Sequence, residues 1–391
     1  MKIGIITQPL HTNYGGLLQN YALQQILKRM GHDVTTVRYF NPDRSLLDKW
    51  KGWLKYSVLH RLHPDRYKTP AYVINNREIS EIRKNTDVFV DKYIDCTPII
   101  DSHEGFANLN NAGYEAFVVG SDQCWRLEYN REFLYEMFLS FLPAESSVRR
   151  VAYAASFGTD EWELDAKQTQ RCAALAKKFS SISVREDSGI ELCKNYLGVG
   201  SIQVLDPTLL LDRNDYLELL KKEPDNVPQK SLFTYILDPN PDTAEFIETV
   251  SGATGLTPFS IMPGQPDSYK TFFQMKAHLK ECVFPSPLRW LRAISDSEMT
   301  IVDSFHGMVF SIIFNKPFWV IGNVPRGMAR FKSLLKVFGL EERLVQINDV
   351  DKMDVGKPVD WERVNKILDA ERAGSISFLK DSLDSSLQCP L

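Results

Sequence analysis

One stretch of the chain, residues 299–321, limits the possible folds more than any other. It reads MTIVDSFHGMVFSIIFNKPFWVI: an apolar strand over 299–302, a polar tip, an apolar helix over 308–314 and a second apolar strand over 318–321. A strand, a helix and another strand in this order build parallel sheets. The tip then lies at the carboxyl end of a strand, where free backbone N–H groups and the helix dipole attract anions. The stretch therefore predicts an α/β fold with a ligand site at 303–307.

The same alternation recurs along most of the chain. The first unit is a strand over 2–7, a polar loop with two glycines, a helix over 17–30 and a strand over 34–39. Further predicted strands are 116–119, 150–155, 180–184, 201–205, 231–237 and 258–262, and further predicted helices are 287–294, 329–338 and 361–383. The strands before residue 211 end in small and polar residues. Because the carboxyl ends of parallel strands share one edge of a sheet, these polar ends predict a ligand crevice there.

A chain of 391 residues is long enough for two domains. We predict a first Rossmann-like domain over 1–211, with a helical insertion over 41–100. Residues 212–230 are rich in Asp, Lys, Glu and Pro and show no apolar period, which is typical of a linker. A second Rossmann-like domain over 231–350 follows. Residues 351–391 are predicted to form a terminal helix that packs back across both domains, and a tail.

Charge and composition exclude several classes of protein. A net charge of −4 gives no general attraction to nucleic acid. No run of apolar residues is long enough to span a membrane, and the N-terminus reads as a strand rather than a signal peptide. The 6 cysteines include no Cys-x-x-Cys pair, so we expect free thiols, no metal site and a cytoplasmic location.

Residues 44–68 have a composition of their own. They contain 7 Lys or Arg against 2 Asp, with Trp50, Trp53, Tyr56 and Tyr67 interleaved. Basic and aromatic side chains of this kind bind anionic membranes or a lipid-linked diphosphate, which predicts a peripheral protein at the inner face of the membrane. A solvated helical surface is the commoner explanation of the same pattern.

Two motifs of the first domain allow two interpretations each. Asn13, Gly15 and Gly16 follow the first strand, where glycines let a ligand approach the backbone or simply form a tight turn. No Gly-x-Gly-x-x-Gly fingerprint of dinucleotide binding is present. Ser121 and Asp122 follow another strand, where Asp122 is either a catalytic acid or, as the residue types favour, a helix N-cap.

The cationic candidates also have alternatives. Arg185 follows a buried strand, where it either binds phosphate or carboxylate or pairs with the neighbouring Glu186 or Asp187. Arg326 and Arg330 follow the strand 318–321, from which they reach the crevice or remain on the surface.

His306 is the strongest single candidate in the chain. It lies in the polar tip between two apolar elements, where an imidazole binds phosphate or moves a proton. Asp303 either orients that imidazole or caps the following helix.

At these motifs the chain resembles the polysaccharide pyruvyl transferase family. The resemblance rests on NYGGLLQNYALQ at 13–24, VVGSDQ at 118–123, YAASFG at 153–158, SVREDSG at 183–189, LDPT at 205–208 and DSFHG at 303–307. Several segments in this order are far more specific than any one alone. The resemblance implies a two-domain fold similar to that of GT-B glycosyltransferases. It also implies transfer of a pyruvyl group from phosphoenolpyruvate to two hydroxyls of a sugar or lipid-linked oligosaccharide, making a cyclic ketal in surface polysaccharide or capsule synthesis, with no cofactor.

The family also implies roles for individual residues. Its donor-site histidine corresponds to His306, and its second arginine to Arg185. Where the family has an arginine two positions before the histidine, this chain has Ser304, so that Arg330 or Arg289 is expected to supply the charge. The remaining donor residues are Phe305 and Gly307. Asp122 is assigned to a sugar hydroxyl or a proton, and Asn13, Gly15, Gly16 and Ser121 are assigned to the acceptor.

Two other functions remain open at this stage. One is a nucleotide-sugar-dependent glycosyltransferase or sialyltransferase-like enzyme on the same fold, because one fold hosts many reactions. The other is a non-catalytic glycan-binding protein, which the serine at position 304 leaves open. The donor that the protein binds, and the release of phosphate, discriminate among the three.

Overall fold

The computed structural model describes residues 1–40, 46–62, 73–224, 227–322, 327–345 and 353–384. Within these ranges the chain forms two parallel β-sheets flanked by helices, which confirms the predicted α/β fold.

The first sheet is built by the first half of the chain. Its strands are β1 (Lys2–Ile6), β2 (Asp33–Thr36), β3 (Ala116–Val119), β4 (Arg149–Ala155), β5 (Ser181–Val184) and β6 (Ile202–Gln203). Their order across the sheet is β2-β1-β3-β4-β5-β6, and every neighbouring pair is parallel. The side chains of β3 are all buried, as in a sheet covered on both faces.

The second sheet belongs to the second half. Its strands are β7 (Ser231–Tyr235), β8 (Thr257–Phe259), β9 (Met299–Val302), β10 (Phe318–Ile321) and β11 (Leu344–Val345), in the order β11-β10-β9-β7-β8. All of its neighbouring pairs are parallel too. The strand β9 is central and entirely buried, so the tip that follows it lies in the middle of the sheet's carboxyl edge.

The helices connect and cover these strands. They are α1 (Tyr14–Arg29), α2 (Leu46–Leu62), α3 (Asn76–Tyr93), α4 (His103–Asn108), α5 (Leu127–Asn130), α6 (Ala166–Ala176), α7 (Ser188–Leu192), α8 (Arg213–Leu220), α9 (Pro241–Thr254), α10 (Phe272–His278), α11 (Pro287–Asp296), α12 (Phe305–Ile313), α13 (Ala329–Phe338) and α14 (Trp361–Leu383).

Two helices begin three residues earlier than the apolar pattern predicts, and both lie at the cleft. The side chain of Asn13 accepts the backbone N–H of Gly16 and starts α1, while Ser304 accepts that of Gly307 and starts α12. Each is an N-cap, which satisfies a backbone donor that the first turn leaves open. Gly15 and Gly16 therefore lie in a helix and not in a tight turn, and His306 lies in the first turn of α12.

The predicted linker contains a helix. Asp212 and Asp215 form a capping box at the start of α8, and Tyr216, Leu219 and Leu220 are buried there. The helix packs against α11 of the second half. Charged residues dominate the composition of this stretch, but three apolar side chains on one face are enough to dock a short helix.

The two halves share one apolar core. A single cluster of buried side chains runs from β1 and α1 through α11 and α12 to α14. The long helix α14 packs back on both halves, as predicted: the Ser375 hydroxyl accepts the N–H of Leu205, and Arg363 donates to the Gly339 carbonyl. The halves are therefore held together beside the cleft.

No helix in the described part of the chain is long and apolar enough to cross a membrane.

Candidate active site

A cleft of about 650 Å³ opens between the carboxyl edges of the two sheets. It is bounded by the loop after β1, the turn after β3, the end of β7, the tip before α12 and the start of α13. The predicted site residues that line it are Asn13, Gly15, Asp122, Ser304, Phe305, His306 and Arg330. The predicted residues Gly16, Ser121, Arg185 and Gly307 do not line it.

His306 lies at the floor of this cleft. His306 is 7% exposed, and its Nε2 atom is 3.5 Å from Oδ2 of Asp206. That distance is long for a hydrogen bond but suits an ion pair when the imidazole is protonated. The ring is thus held against a buried carboxylate while one side remains open to the cleft.

Gly15 brings α1 into direct contact with this ring. A Cβ atom built on Gly15 would lie 2.0 Å from Nδ1 and 2.2 Å from Cγ of His306. Real side chains do not approach that closely, so only glycine fits at this position. The contact joins the first half of the chain to the second and fixes the imidazole on one side.

Asp206 is the centre of a buried polar network. Its Oδ2 accepts hydrogen bonds from the Ser121 hydroxyl at 2.8 Å and from Nη1 of Arg185 at 2.9 Å. Its Oδ1 accepts both the backbone N–H and the hydroxyl of Thr208. Burial alone would raise the pKa of Asp206, but His306, Arg185 and Thr208 together hold that pKa well below its usual range.

Replacing Asp206 with asparagine is expected to lower the free energy of unfolding by about 2 kcal/mol at neutral pH, because hydrogen bonds to a charged group are lost beside a buried cation. The folded-state pKa of Asp206 is depressed, so its contribution is complete above about pH 5 and declines as pH falls, when the unfolded chain takes up the proton first. Denaturant unfolding between neutral and acidic pH measures both effects. An Asp206→Asn variant with the wild-type stability and the wild-type acid dependence would contradict this account.

Arg185 is part of this buried network and does not line the cleft. Its guanidinium is fully buried, 2.9 Å from Asp206, 3.6 Å from Asp122 and 3.7 Å from Glu186. Burial opposes the charge, but these three carboxylates outweigh it and raise the pKa of Arg185. The ring of Phe305 lies 4.3 Å from the guanidinium carbon and covers it. The predicted pairing with Glu186 is thus a minor part of its contacts, and Asp206 is its nearest partner.

Among the described residues, Arg330 is the arginine that lines the cleft. Burial, and then the like charge of Arg185, lower the pKa of Arg330 to about 10, so the guanidinium remains protonated at neutral pH. Its guanidinium carbon lies 5.9 Å from the centre of the Phe305 ring. Phe305 therefore contacts both arginines, one beneath the cleft and one at its wall.

Asp122 borders the cleft in a strained backbone conformation. Its φ of +70° lies in the left-handed region, which residues other than glycine rarely adopt. Its Oδ2 accepts a hydrogen bond of 3.2 Å from the side chain of Asn13. It is not a helix N-cap, because the following helix α5 begins after Arg126. The interpretation that the residue types favoured is therefore wrong here.

Asp303 lines the cleft as well, but it does not orient the imidazole. Its carboxylate accepts the backbone N–H groups of Leu237 and Asp238, and the carboxylate that faces the imidazole is Asp206. Ser304, not Asp303, caps α12. Arg289 does not line the cleft, and Arg326 lies outside the described residues.

The sequence reasoning missed two features of the cleft. His11 lines it, and burial followed by Arg83 lowers the pKa of His11 to about 4, so this ring is neutral at physiological pH. Tyr235 also lines the cleft, and Trp290 lies fully buried behind it, with ring centres 5.3 Å apart. Aromatic faces of this kind offer sugars an apolar contact. Little in the sequence indicated His11, because a single histidine in a loop does not by itself predict a site.

Two observations argue against other sites and against a nucleophilic cysteine. A larger cavity of about 770 Å³ lies beneath α14, at the amino ends of β4 and β5, and contains none of the predicted site residues. Burial raises the pKa of the Cys124 thiol to about 12, and those of Cys172 and Cys193 to about 12 as well, so these cysteines remain protonated and are unsuited to nucleophilic chemistry.

One protein-family model matches most of the chain. A family model described as polysaccharide pyruvyl transferase matches residues 13–323, which include every residue of the network and the cleft named above except His11 and Arg330. A search of the curated proteins finds no significant sequence match.

A search of solved structures finds matches that cover nearly the whole of this chain. The N-terminal domain of trehalose-6-phosphate phosphatase from Candida albicans matches with a TM-score of 0.49 and 12% identity, over 99% of this chain and 97% of that one. UDP-GlcNAc 2-epimerase from Neisseria meningitidis matches with a TM-score of 0.47 and 10% identity, over 98% and 99%. An O-GlcNAc transferase from Thermobaculum terrenum matches with a TM-score of 0.47 and 13% identity, over 98% of this chain but 66% of that one.

Proposed function

The chain belongs to the polysaccharide pyruvyl transferase family, and from that premise we propose that it transfers the pyruvyl group of phosphoenolpyruvate to two hydroxyls of one sugar, in the synthesis of a surface polysaccharide. The product is a cyclic ketal and the by-product is inorganic phosphate. The sugar is free or part of a lipid-linked oligosaccharide.

The proposal depends on one observation. His306, which has the buried Asp206 carboxylate behind it, lines the same interdomain cleft as the protonated Arg330. Phosphoenolpyruvate is a small, highly charged anion, and it needs cations and N–H donors that converge on it. Arg330 supplies a full charge, and the first turn of α12 supplies the favourable end of a helix dipole. The family has an arginine where this chain has Ser304, and Arg330 supplies the charge of that arginine from another element.

The chemistry proceeds by an addition and then a substitution at C2 of the donor. In the addition, a sugar hydroxyl forms a C–O bond to C2, its proton is removed by a base, and an acid delivers a proton to C3, which becomes a methyl group. In the substitution, another hydroxyl of the same sugar forms a bond to C2 while the bond from C2 to the phosphate oxygen breaks, and the proton of that hydroxyl passes to the leaving phosphate. Both steps require a positioned proton donor and acceptor.

The residues of the cleft suit these roles. His306 exchanges the proton, and Asp206 stabilises its charged form from behind. Asp122, oriented by Asn13, accepts a sugar hydroxyl or its proton. The ring of Tyr235, supported from behind by the buried Trp290, holds the apolar face of the acceptor ring. Arg185 does not touch substrate in this scheme; it positions Asp206 and Asp122.

Phosphoenolpyruvate at 100 times its Kd is expected to stabilise the protein by about 2.7 kcal/mol and to raise its Tm, whereas a nucleotide sugar is expected to leave the Tm unchanged. Thermal melts with each ligand test the donor. Release of inorganic phosphate, and a mass gain of the sugar acceptor, then test the reaction on a panel of free and lipid-linked galactosides, glucosides and mannosamine derivatives.

Arg330→Met provides the matched variant for the melts. It is expected to abolish the shift caused by phosphoenolpyruvate, because the cleft loses its cation, while the apolar stem of the side chain is kept. A melt that responds to a nucleotide sugar instead would indicate a glycosyltransferase. Glycan binding without any release of phosphate from phosphoenolpyruvate would indicate a non-catalytic protein.

A further inference from the structure

The helix α2 presents an unusual outward face. Trp50, Leu54, Val58 and Leu62 follow one another at intervals of four residues, and they are 43%, 56%, 54% and 66% exposed. Residues spaced by four lie on the same side of a helix. Four large apolar side chains therefore form a continuous stripe in solvent, which folded proteins rarely leave uncovered.

The same face is basic. Lys51, Lys55 and Arg61 are exposed beside the stripe, and none of the described side chains of α2 is acidic. Surfaces that bind other proteins are depleted in lysine at their centre. An exposed tryptophan beside lysine and arginine is instead typical of segments that contact the headgroup region of an anionic membrane.

We propose that α2 docks the protein on the surface of an anionic lipid bilayer. The stripe of Trp50, Leu54, Val58 and Leu62 enters the boundary between headgroups and acyl chains, and Lys51, Lys55 and Arg61 contact lipid phosphates. The structure thus favours the membrane over the solvated surface that is the commoner origin of such a sequence. This inference concerns α2 alone and does not depend on the proposed reaction. Residues 44–45 and 63–68 of the basic region lie outside the described residues.

Flotation of the full chain with phospholipid vesicles tests the proposal. The wild-type protein is expected to float with vesicles rich in phosphatidylglycerol, to release at high salt, and to remain unbound with pure phosphatidylcholine. Leu54→Glu with Val58→Glu is expected to lower binding at least about tenfold, because two apolar groups no longer enter the bilayer. Removal of the charges of Lys51 and Lys55 by glutamine is expected to lower it about fivefold for each.

Val88→Glu is the matched control. Val88 is 63% exposed on another helix, α3, so the substitution places one of the two added glutamate charges on a helical surface outside the stripe. It is expected to bind vesicles like the wild type. Far-UV circular dichroism and thermal melts check that all variants remain folded. Absence of wild-type binding to anionic vesicles would overturn the proposal. So would equal loss of binding in the control, or self-association of the wild type that Leu54→Glu with Val58→Glu abolishes, since the stripe would then bind a second copy.

Discussion

His306→Ala is expected to lower kcat for ketal formation and phosphate release by about 10³-fold, the range of a lost general acid or base. The imidazole is the titratable group that both lines the cleft and faces the Asp206 carboxylate. Without it, the cleft loses the group to which we assign proton transfer to C3 of the donor. Coupled phosphate assays and mass spectrometry of the acceptor measure the loss.

A second variant keeps the test independent of folding. His306→Ala leaves Asp206 with one partner fewer, although Arg185, Ser121 and Thr208 still bind its carboxylate. His306→Asn retains a polar side chain at that position and is expected to be as inactive, with a Tm close to that of the wild type. If either variant still shows the Tm shift caused by phosphoenolpyruvate, His306 moves a proton and does not hold the donor. Full activity in a folded variant would refute its role.

Gly15→Ala is expected to reduce activity by at least about 100-fold, the order of loss that follows a displacement of about 1 Å at a reacting group. The added methyl would lie 2.0 Å from Nδ1 of His306, so the ring or the helix α1 must move. The overpacking is expected to cost about 1–3 kcal/mol of stability. Steady-state kinetics and denaturant unfolding measure the two effects.

The adjacent glycine provides the control. A Cβ on Gly16 would meet the side-chain amide of Asn13 at 3.1 Å, and not the imidazole. Gly16→Ala is therefore expected to lose much less activity than Gly15→Ala, although the Asn13 amide that orients Asp122 must shift by a small amount. In the double variant with His306→Ala, the stability lost through Gly15→Ala should be largely recovered, because the clashing ring is gone. If Gly15→Ala and Gly16→Ala behave alike, the contact between Gly15 and the imidazole is not what matters.

The fold was largely accessible from the sequence. The bounds predicted for β3, β9, β10, α13 and α14 agree with the structure, because long apolar periods and Gly or Pro boundaries are local signals. The predictions were wrong where one polar side chain sets the start of a helix, or where a few apolar side chains are enough to form one. Asn13 and Ser304 start helices that the apolar pattern alone places later, and α8 forms in a stretch whose charged composition is typical of a linker.

The candidate site was only partly accessible. His306 was predicted at the carboxyl edge of a sheet and lies there. Arg185 was predicted to contact the donor but is buried under Phe305. Asp206 was noted only at a strand end and within the LDPT segment of the family, without a role of its own. A side chain that follows a strand can point into the cleft or beneath it, and the pattern of apolar residues does not distinguish the two.

By itself, the sequence determined the parallel sheets, the edge where polar residues gather and the family, because each depends on the order and spacing of neighbouring residues. Only the tertiary structure decided which of those residues meet. Gly15 touches His306 across the two halves of the chain, and Asp206 comes from a third element to face the same ring. A buried charge needs partners that converge on it from several elements. The first half supplies Ser121, Arg185 and Thr208 around Asp206, and the second half adds His306 when the two halves pack together.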